Sequence, residues 1–586
     1  MVIKRSKLQY FIAFLVVFFA EAVVIYLSTE ITLLKILTNL VFGVCFYYII
    51  LVCSNYKSRK LKWLSVAGGM VIATCSVLGY LINRDGITAA NVQDIFRNII
   101  LIGGATPVCS GGVAIILELL SKKAKDEIIE IDVNNDNSKK IFFLYWGIIF
   151  IGFLFIMLSF FPGIVNYDAK YQILQVLTDS YKTNHPLLHT LLLGKLYKLG
   201  GSIGSYSIGI MFYTLAQIII LSGAMAYSLK FLYEIKISRP FRIIVCILYI
   251  VFPINTILSV SATKDVICGA LLLVYVVMLF KCILIKNYLK WNNMISIILT
   301  ASLMILFRNN LLYAFILTVP ALIFCMKKQW VKATIMVLAI LMLYTVTNKA
   351  LINLTDASTG SLTEMISVPI QQMARVGNLE INTLDEIVKE ELLYYIPQSV
   401  IDQYSPVNAD MVKNNIDITK IHGNIFGFLT LWAKIGIAHP ITYIDSFLYN
   451  TSGYWYLGDS YHAIIYGKGG FLLTDSQSIV DGYTVSTKSY IPVISGIYNS
   501  LFSENQYRNI PILWIMFTPA FFLYLIMLYV LFIIYRGKYI LLMPAGILLS
   551  IYITLLLGPV VLIRYIYGIT LCIPTLLGII LMKSKN

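Results

Sequence analysis

The polar side chains between residues 162 and 205 are of types that carry out acid–base chemistry. Asp168 and Gln172 are four positions apart, and so are His185 and His189, so each pair shares one face of a helix if this stretch is helical. Carboxylates and imidazoles act as general acids and bases, and they also bind zinc and other divalent ions. A simpler alternative is that Asp168 is stabilised by a helix N-terminus and that the histidines mark a helix entry and its rim.

Three cations occupy positions where a membrane protein usually avoids charge. Lys264, Arg308 and Arg564 each stand at the end of an apolar segment, far from the other clusters of lysine. Ions at a membrane edge are costly, which indicates a function, and arginine and lysine together suit a phosphate group. The alternatives are that each side chain extends to the lipid headgroups, and that Asp265 is merely the salt-bridge partner of Lys264.

A polar stretch further along the chain carries Gln371, Gln372 and Arg375. These side chains are candidates to line a cavity on the same side of the membrane as the cations. A plain amphipathic helix would show the same pattern, so both interpretations stay open.

The elements that position these residues are membrane-spanning helices. The chain has 586 residues, of which 59% are hydrophobic and 13% charged, and its mean hydropathy is +0.81. Apolar runs of about 20 residues match the length of a helix that crosses the bilayer. The net charge of +16 is explained by cytoplasmic loops held against anionic membrane lipid, so we expect no nucleic-acid partner.

The apolar runs predict an all-α polytopic protein with about fourteen transmembrane helices. The positive-inside rule then puts both termini in the cytoplasm and two long segments, 162–205 and 351–510, outside. Within those segments, residues 167–177, 186–199 and 384–395 have helical patterns. The predicted spans are 9–27, 31–53, 61–82, 97–119, 141–160, 206–230, 241–259, 264–286, 292–306, 309–326, 330–350, 511–535, 539–557 and 560–582.

This topology divides the chain into four parts. Residues 1–140 form N-terminal transmembrane helices, 141–350 a transmembrane core with the outer loop 162–205, 351–510 an extracytoplasmic α-rich domain, and 511–586 the C-terminal transmembrane helices. The composition, rich in Lys, Ile, Asn and Tyr, is typical of a bacterium, so the expected location is the bacterial plasma membrane.

The order of these features resembles the GT-C type membrane glycosyltransferases. An apolar span, Pro162-Gly163, Tyr167-Asp168, a polar helix and His185-Pro186-Leu187 follow one another as in the first outer loop of that family. An uncharacterised bacterial GT-C-like group has further similar patches over about residues 141–586. They are Thr263-Lys264-Asp265, Phe307-Arg308-Asn309-Asn310, the stretch from Val368 to Arg375, and the stretch from Gly558-Pro559 to Arg564-Tyr565.

The resemblance implies an enzyme that moves a sugar from a polyprenyl-phosphate donor to a glycan, lipid or protein of the cell envelope. Asp168 would be the catalytic or metal-binding carboxylate, with His185 and His189 as a second acid–base group or metal ligands. Two departures leave the need for Mg²⁺ or Mn²⁺ open: Leu187 replaces a second proline, and Ala169 follows Asp168 where some branches have glutamate. The residues expected to bind substrate are Gln172, Lys264, Asp265, Arg308, Asn309, Gln372, Arg375, Arg564 and Tyr565.

Two other functions use the same residues. A flippase for lipid-linked saccharides would need the cations to bind phosphate during translocation, although the chain lacks the internal symmetry typical of transporters. A scaffold whose large outer domain binds a partner would need neither Asp168 nor the cations.

Overall fold

A computed structural model describes residues 58–123, 137–285, 288–358, 360, 362–459, 476–480, 483–510 and 513–582. The chain divides into two compact units, each assembled from separate stretches of sequence. Unit 1 takes its described residues from Met1–Lys125, Ile366–His462 and Leu523–Lys538, and unit 2 from Asp126–Met365, Ala463–Phe522 and Tyr539–Asn586. The four domains drawn from the sequence stay a prediction.

The first part of the described chain alternates long apolar helices with short elements. Two-residue strands occur in it, directly before two of the helices. The elements are α1 (Arg59–Asp85), α2 (Val92–Lys123), α3 (Asn137–Ser159), β1 (Ile164–Val165), α4 (Tyr167–Leu177), α5 (Leu187–Ile203), α6 (Tyr206–Glu234), α7 (Arg239–Val251), α8 (Pro253–Ser259) and β2 (Ser261–Ala262).

The middle of the chain continues with four apolar helices and then shorter, more polar ones. These are α9 (Lys264–Leu284), α10 (Trp291–Phe307), α11 (Asn310–Cys325), α12 (Trp330–Thr355), α13 (Ser367–Leu379), α14 (Glu386–Tyr395), α15 (Gln398–Ile401), α16 (Asp410–Lys413), α17 (Ile418–Gly423), α18 (Ile425–Ala438) and α19 (Pro440–Trp455).

The last part holds an antiparallel strand pair and the C-terminal helices. Its elements are β3 (Ser476–Val480), β4 (Tyr483–Ser486), α20 (Pro492–Phe502), α21 (Leu513–Met516), α22 (Pro519–Arg536), α23 (Met543–Leu556) and α24 (Tyr567–Ile580), with short 3₁₀ turns at Lys327–Gln329, Leu362–Glu364, Ile381–Thr383, Ser503–Asn509, Tyr539–Leu542 and Ile563–Ile566.

The structure confirms an all-α polytopic membrane protein. Nine helices of the described residues are long and apolar enough to cross a bilayer, and up to eleven spans result if each of two bent helix pairs counts as one. One of these pairs is α7 with α8, bent by 53°. The predicted spans 9–27 and 31–53 lie outside the described residues, and each of the other twelve predicted spans contains helix among its described residues.

Three helices predicted in the outer segments are also confirmed. Residues 167–177 form α4, the stretch 186–199 lies in α5 apart from Pro186, and 384–395 contains α14. One feature was not predicted: α18 and α19 are apolar and bent by 105° at His439, as in a broken span or a re-entrant loop. The aromatic residues from Tyr443 to Trp455 belong to this helix pair.

The centre of unit 2 is formed by its most buried helices. In the most apolar 18-residue stretch of each span, 72% of the residues are buried in α9 and 78% in the span that contains α24. The corresponding share in the span that contains α12 is 17%. α9 and α24 pack on each other at two glycines, since a methyl group added at Gly269 would lie 3.0 Å from the Cα of Gly568. This close approach matters because Lys264 begins α9 and Arg564 precedes α24.

Candidate functional site

A two-residue strand pair brings Asp168 and Lys264 together. β1 and β2 are parallel, with Ile164 opposite Ser261 and Val165 opposite Ala262. Each strand is followed within a few residues by a helix, α4 after β1 and α9 after β2. The backbone pairing therefore sets the first turns of α4 and α9 side by side, although 96 residues separate Asp168 from Lys264.

The two helices begin in the same way. The Asn166 side chain accepts a hydrogen bond from Ala169 N at 2.9 Å, and the Thr263 hydroxyl accepts one from Asp265 N at 3.4 Å. Asp168 and Asp265 lie in the first turns that these caps define. Both carboxylates are thus stabilised by the positive end of a helix dipole, and both belong to one cluster.

Asp168 is bound by two cations through one oxygen. Arg564 Nη1 donates to Asp168 Oδ2 at 2.8 Å, and Lys264 Nζ lies 3.5 Å from the same atom. The Asp168 side chain is 18% exposed, so solvent can reach the carboxylate. A small molecule can therefore approach the group while both cations stay in contact with it.

A second ion pair lies beside the first. Arg308 Nη1 donates to Asp265 Oδ1 at 2.8 Å, and Arg308 Nε donates to Asn310 Oδ1 at 2.8 Å. Arg564 Nη1 is 3.8 Å from Asp265 Oδ2, so Arg564 contacts both carboxylates. The Asp265 side chain is fully buried, which indicates that its role is to hold the arginines rather than to meet substrate.

Tyr565 connects the two arginines. The guanidinium carbons of Arg308 and Arg564 lie 5.0 and 5.1 Å from the centre of its ring, and its carbonyl accepts from Arg308 Nη1 at 2.9 Å. An aromatic face attracts a cation at such distances. Tyr565 therefore keeps two like charges close to one another.

The charges of the cluster do not cancel. Lys264, Arg308 and Arg564 carry three positive charges against the two negative charges of Asp168 and Asp265. Burial raises the pKa of the Asp168 carboxyl, but the charges of Lys264 and Arg564 outweigh burial and hold that pKa well below its usual range. Asp168 is therefore ionised at neutral pH, and a net positive charge is left to attract an anion.

His185 belongs to the same cluster as a neutral imidazole. Burial, reinforced by the charge of Lys264, lowers the pKa of His185 to about 4. Lys264 Nζ lies 3.0 Å from His185 Nδ1 and donates to it, because an ammonium group has no lone pair. The proton of neutral His185 is consequently on Nε2, where it can be donated.

His189 is fully buried, and both of its ring nitrogens are engaged. Nδ1 lies 3.1 Å from the Gln172 side-chain amide, and Nε2 lies 2.7 Å from the Tyr213 hydroxyl. Burial, together with the charge of Lys264, lowers its pKa to about 3. Its burial and these two contacts favour a positioning role for His189 over the predicted direct role as an acid, a base or a metal ligand.

Gln217 connects His189 to the segment before β2. Gln217 Nε2 donates to the carbonyls of Leu258, Ser259 and Ser261, and its Oε1 accepts from the Tyr213 hydroxyl, 3.0 Å away. The Tyr213 hydroxyl in turn contacts His189 Nε2 at 2.7 Å. This buried chain links α5 and α6 to the segment that leads into β2 and Lys264.

Gln172 completes the chain from the other side. Its amide contacts His189 and also lies 3.0 Å from the Thr190 hydroxyl, and the side chain is fully buried. Gln172 Nε2 donates to the Thr190 hydroxyl, which in turn donates to the Pro186 carbonyl at 3.2 Å, and Gln172 Oε1 faces His189 Nδ1. Gln172 was expected to bind substrate, but its contacts show that it fixes α4 to α5.

The predicted metal ligands do not fit a divalent ion. Asp168 Oδ2 is occupied by two cations, His185 Nδ1 by Lys264, and both nitrogens of His189 by other partners. Among the described residues, no group of three or more His, Cys, Asp or Glu side chains is placed to hold a metal. A divalent ion at Asp168 would also face the positive charges of Arg564 and Lys264, which repel it.

Asn309 has a supporting place beside the cluster. Its side-chain amide donates to the Thr183 carbonyl at 3.1 Å, which ties the segment that contains His185 to the start of α11. Asn310, next to it, contacts Arg308 and also donates to the Thr554 hydroxyl at 3.2 Å.

Gln372 and Arg375 belong to unit 1 and have their own partners there. Gln372 donates to the Tyr443 carbonyl and accepts from Trp432 Nε1. Arg375 is 3% exposed and donates to the Gly86 carbonyl at 2.6 Å. These contacts are within the packing of α13, so nothing in them supports the expectation that the two residues bind substrate.

The residues that sequence reasoning missed are mainly uncharged. Tyr213, Gln217 and Thr190 lie inside helices where nothing in the spacing separates them from other core positions. Asn310 belongs to the stretch Phe307-Arg308-Asn309-Asn310, and its position two residues after Arg308 is a signal that could have identified it.

Comparison with known proteins places the chain in a family. The model of a family described as "Family of unknown function (DUF6020)" matches residues 169–586. No curated protein and no solved structure matches the chain. The match covers more than half of the sequence and includes every member of the cluster except Asp168, which immediately precedes it. The chain belongs to the DUF6020 family.

Proposed function

We propose that this protein is a GT-C-like membrane glycosyltransferase that moves a sugar from a polyprenyl-phosphate donor to a hydroxyl group of a cell-envelope acceptor. The observation that supports it is the contact of the partly exposed Asp168 carboxylate with Arg564 and Lys264, next to Arg308. A base and a phosphate-binding set of cations in one cluster are what transfer from a phosphate donor requires.

The cations bind the phosphate of the donor. Arginine pairs two phosphate oxygens through its planar fork, and lysine adds a compact charge. The phosphate becomes more negative as the sugar leaves it, so the attraction of Arg564 and Lys264 grows toward the transition state. The Nε2–H of His185 supplies a further hydrogen bond in the same place.

Binding of the donor activates Asp168. In the free protein the two cations make its carboxylate a weak base, because they hold its pKa far below the usual range. A phosphate that engages the same cations offsets their charge, so the pKa of Asp168 rises. The base thus becomes effective once donor is present, which limits premature attack by water.

The reaction then needs one proton transfer. The acceptor oxygen forms a bond to the anomeric carbon of the sugar, the bond from that carbon to the phosphate oxygen breaks, and the acceptor proton passes to Asp168. The electron pair of the broken bond stays on the polyprenyl phosphate, opposite the cations. Such a base contributes about 10²–10⁴-fold to the rate.

The proposed setting is the bacterial plasma membrane, with about fourteen spans and both termini in the cytoplasm. The distribution of lysine and arginine supports this topology and puts the cluster on the extracytoplasmic side. The donor would enter sideways from the outer leaflet.

The test is transfer by the purified full-length protein in lipid vesicles with polyprenyl-phosphate sugars. We expect polyprenyl phosphate to be released by the natural chain and release to fall at least about 100-fold in Asp168→Asn. Asp179→Asn is a matched control, because Asp179 follows α4, its side chain is 74% exposed, and its φ of 48° suits asparagine. Full activity of Asp168→Asn would refute the proposed base.

The same vesicles distinguish an enzyme from a flippase. Movement of intact donor across the membrane, without release of polyprenyl phosphate from any donor offered, would identify a transporter. Absence of both processes in the natural chain, for every donor offered, would favour the scaffold.

A further inference from the structure

A second charged region lies at the opposite end of α10 from Arg308. α10 has 17 residues and is therefore about 26 Å long, close to the thickness of the hydrocarbon layer. Its first residue, Trp291, lines a cavity of about 670 Å³ together with the start of α12. This cavity and the Asp168 cluster are thus separated by nearly the full depth of a bilayer.

The wall of the cavity combines lysine, tryptophan and apolar side chains. It is formed by Leu289, Lys290, Trp291, Met294, Lys328, Gln329, Trp330, Val331, Lys332 and Ile335. Lys332 Nζ donates to the Leu289 carbonyl at 3.2 Å, which holds the two sides together. Gln329 Oε1 is buried and accepts no hydrogen bond within the described residues.

No carboxylate is near in sequence to neutralise these lysines. The chain contains no aspartate or glutamate between Asp265 and Asp356. Within the described part of the chain, no acidic side chain forms an ion pair with Lys290, Lys328 or Lys332. Two helix N-termini, those of α10 and α12, add partial positive charge at the cavity.

We infer that this cavity binds the phosphate headgroup of an anionic membrane lipid. Three lysines suit a phosphate, and Trp291 and Trp330, 72% and 57% exposed, are the residues expected at the level of lipid headgroups. The positive-inside rule puts this end of α10 in the cytoplasmic leaflet.

The adjoining helix faces fit the acyl chains of such a lipid. α10 and α12 pack together, and each shows exposed apolar residues that continue from the cavity: Ile295 and Leu299 on α10, and on α12 Leu338, which follows Ile335 of the cavity wall. A headgroup held by the lysines would let its chains run along these faces. A free phosphate ion would gain nothing from them, so lipid is the favoured source of the phosphate.

The test uses tryptophan fluorescence of the full-length protein in phosphatidylcholine vesicles. Brominated phosphatidylglycerol, added as a minor component, should quench the fluorescence at a mole fraction at least tenfold lower than brominated phosphatidylcholine does. The difference should vanish in Trp291→Phe/Trp330→Phe, which assigns the quenching to the cavity. Equal quenching by the two lipids in the natural chain would overturn the proposal without any variant.

Substitutions of the lysines test the charge. We expect Lys290→Gln/Lys328→Gln/Lys332→Gln to lose the preference for phosphatidylglycerol at least tenfold, while the corresponding arginine variant keeps it. Lys327→Gln is the matched control, because Lys327 is the exposed neighbour of Lys328 but does not line the cavity. Retention of the preference in the triple glutamine variant would contradict the assignment.

A soluble competitor separates the two sources of phosphate. Inorganic phosphate at millimolar concentration should not reduce quenching by brominated phosphatidylglycerol at constant ionic strength. If it does, the cavity binds free phosphate and the lipid assignment is wrong. Because the readout is quenching, the result is independent of whether the protein transfers sugars.

Discussion

At the scale of single residues, the cluster depends on one carboxylate oxygen that serves two cations. Asp168 Oδ2 meets both Arg564 Nη1 and Lys264 Nζ, so removing either cation leaves the other still paired. Arg564 differs from Lys264 because it also approaches Asp265 and the ring of Tyr565. We therefore expect Arg564 to be the less replaceable of the two.

Arg564→Gln tests this difference. The change removes a charge-assisted hydrogen bond worth about 1.5–3 kcal/mol, so kcat/KM for the donor should fall about 10–100-fold. Arg564→Lys should keep part of the activity, since it restores charge but not the two-pronged geometry. Donor titrations of both variants measure the effect. Arg536→Gln is the control, because Arg536 lies at a helix end outside unit 2. Equal activity of the natural chain and Arg564→Gln would contradict the prediction.

The buried imidazoles make stability depend on pH. His189 has a pKa of about 3 in the folded protein and about 6.5 when unfolded, so the unfolded chain binds the proton first. The stabilisation is complete above about pH 6.5 and is lost as pH falls toward 3, at up to about 1.4 kcal/mol per pH unit for one proton.

Thermal unfolding of the detergent-solubilised protein at about pH 7.5 and pH 5 measures this dependence. The natural chain should have the lower midpoint at pH 5, and the difference between the two pH values should shrink in His189→Gln, which cannot take up the proton. An unchanged difference would show that His189 does not carry the dependence.

At the scale of elements, the close approach of α9 and α24 sets the spacing of Lys264 and Arg564. The two helices meet at Gly269 and Gly568, about one turn beyond the cations. Small residues at such a crossing let helix backbones come into contact in a membrane. A side chain inserted there would separate the two cations as well as the helices.

Gly269→Ala and Gly546→Ala form a matched pair. A methyl group at Gly269 would lie 3.0 Å from Gly568 Cα, whereas nothing lies within 4 Å of one at Gly546 in α23. We expect Gly269→Ala to lower the free energy of unfolding by about 1–3 kcal/mol and to reduce transfer, and Gly546→Ala to leave both nearly unchanged. Similar melting midpoints for the two variants would argue against the helix contact.

The elements also show what the sequence could and could not predict. Apolar runs predicted helices well because burial in lipid requires about 20 apolar residues whatever the neighbours are. The pairing of β1 with β2 was not predictable, since two residues carry no periodic signal and the partner is about 100 positions away. The α18–α19 pair was missed because its apolar stretch is interrupted at His439-Pro440.

The sequence predicted the charged residues of the candidate site but not the uncharged residues that position them. Asp168, Lys264, Arg308 and Arg564 stood out because ions are rare at the ends of apolar segments. Tyr213 and Gln217 did not, because a polar residue inside a helix reveals its partners only after folding. His189 was assigned a direct role for the same reason, as its spacing from His185 said nothing about burial.

At the scale of the whole molecule, α10 connects a region predicted to be outside with one predicted to be inside. Arg308 follows its last residue, and Lys290 precedes its first. The two charged regions should therefore be open to opposite sides of the membrane.

Cysteine labelling of intact cells tests this topology. Lys182→Cys, at an exposed position in the outer loop, should react with a membrane-impermeant maleimide added outside, and Lys327→Cys only after the cells are permeabilised. The seven cysteines of the described residues are buried or half-buried, so they supply a low background. The reverse pattern would invert the proposed topology.

Arg564 lies 396 positions after Asp168, in the turn that leads into the last helix of the described chain. During synthesis, Asp168 and Lys264 are inserted long before Arg564 leaves the ribosome. A nascent chain therefore carries Asp168 and Lys264 without the arginine that completes the proposed anion site. The proposed transfer from a lipid-linked donor would therefore begin only after Arg564 and the helix that follows it have been made, so a prematurely terminated chain would occupy the membrane without consuming donor.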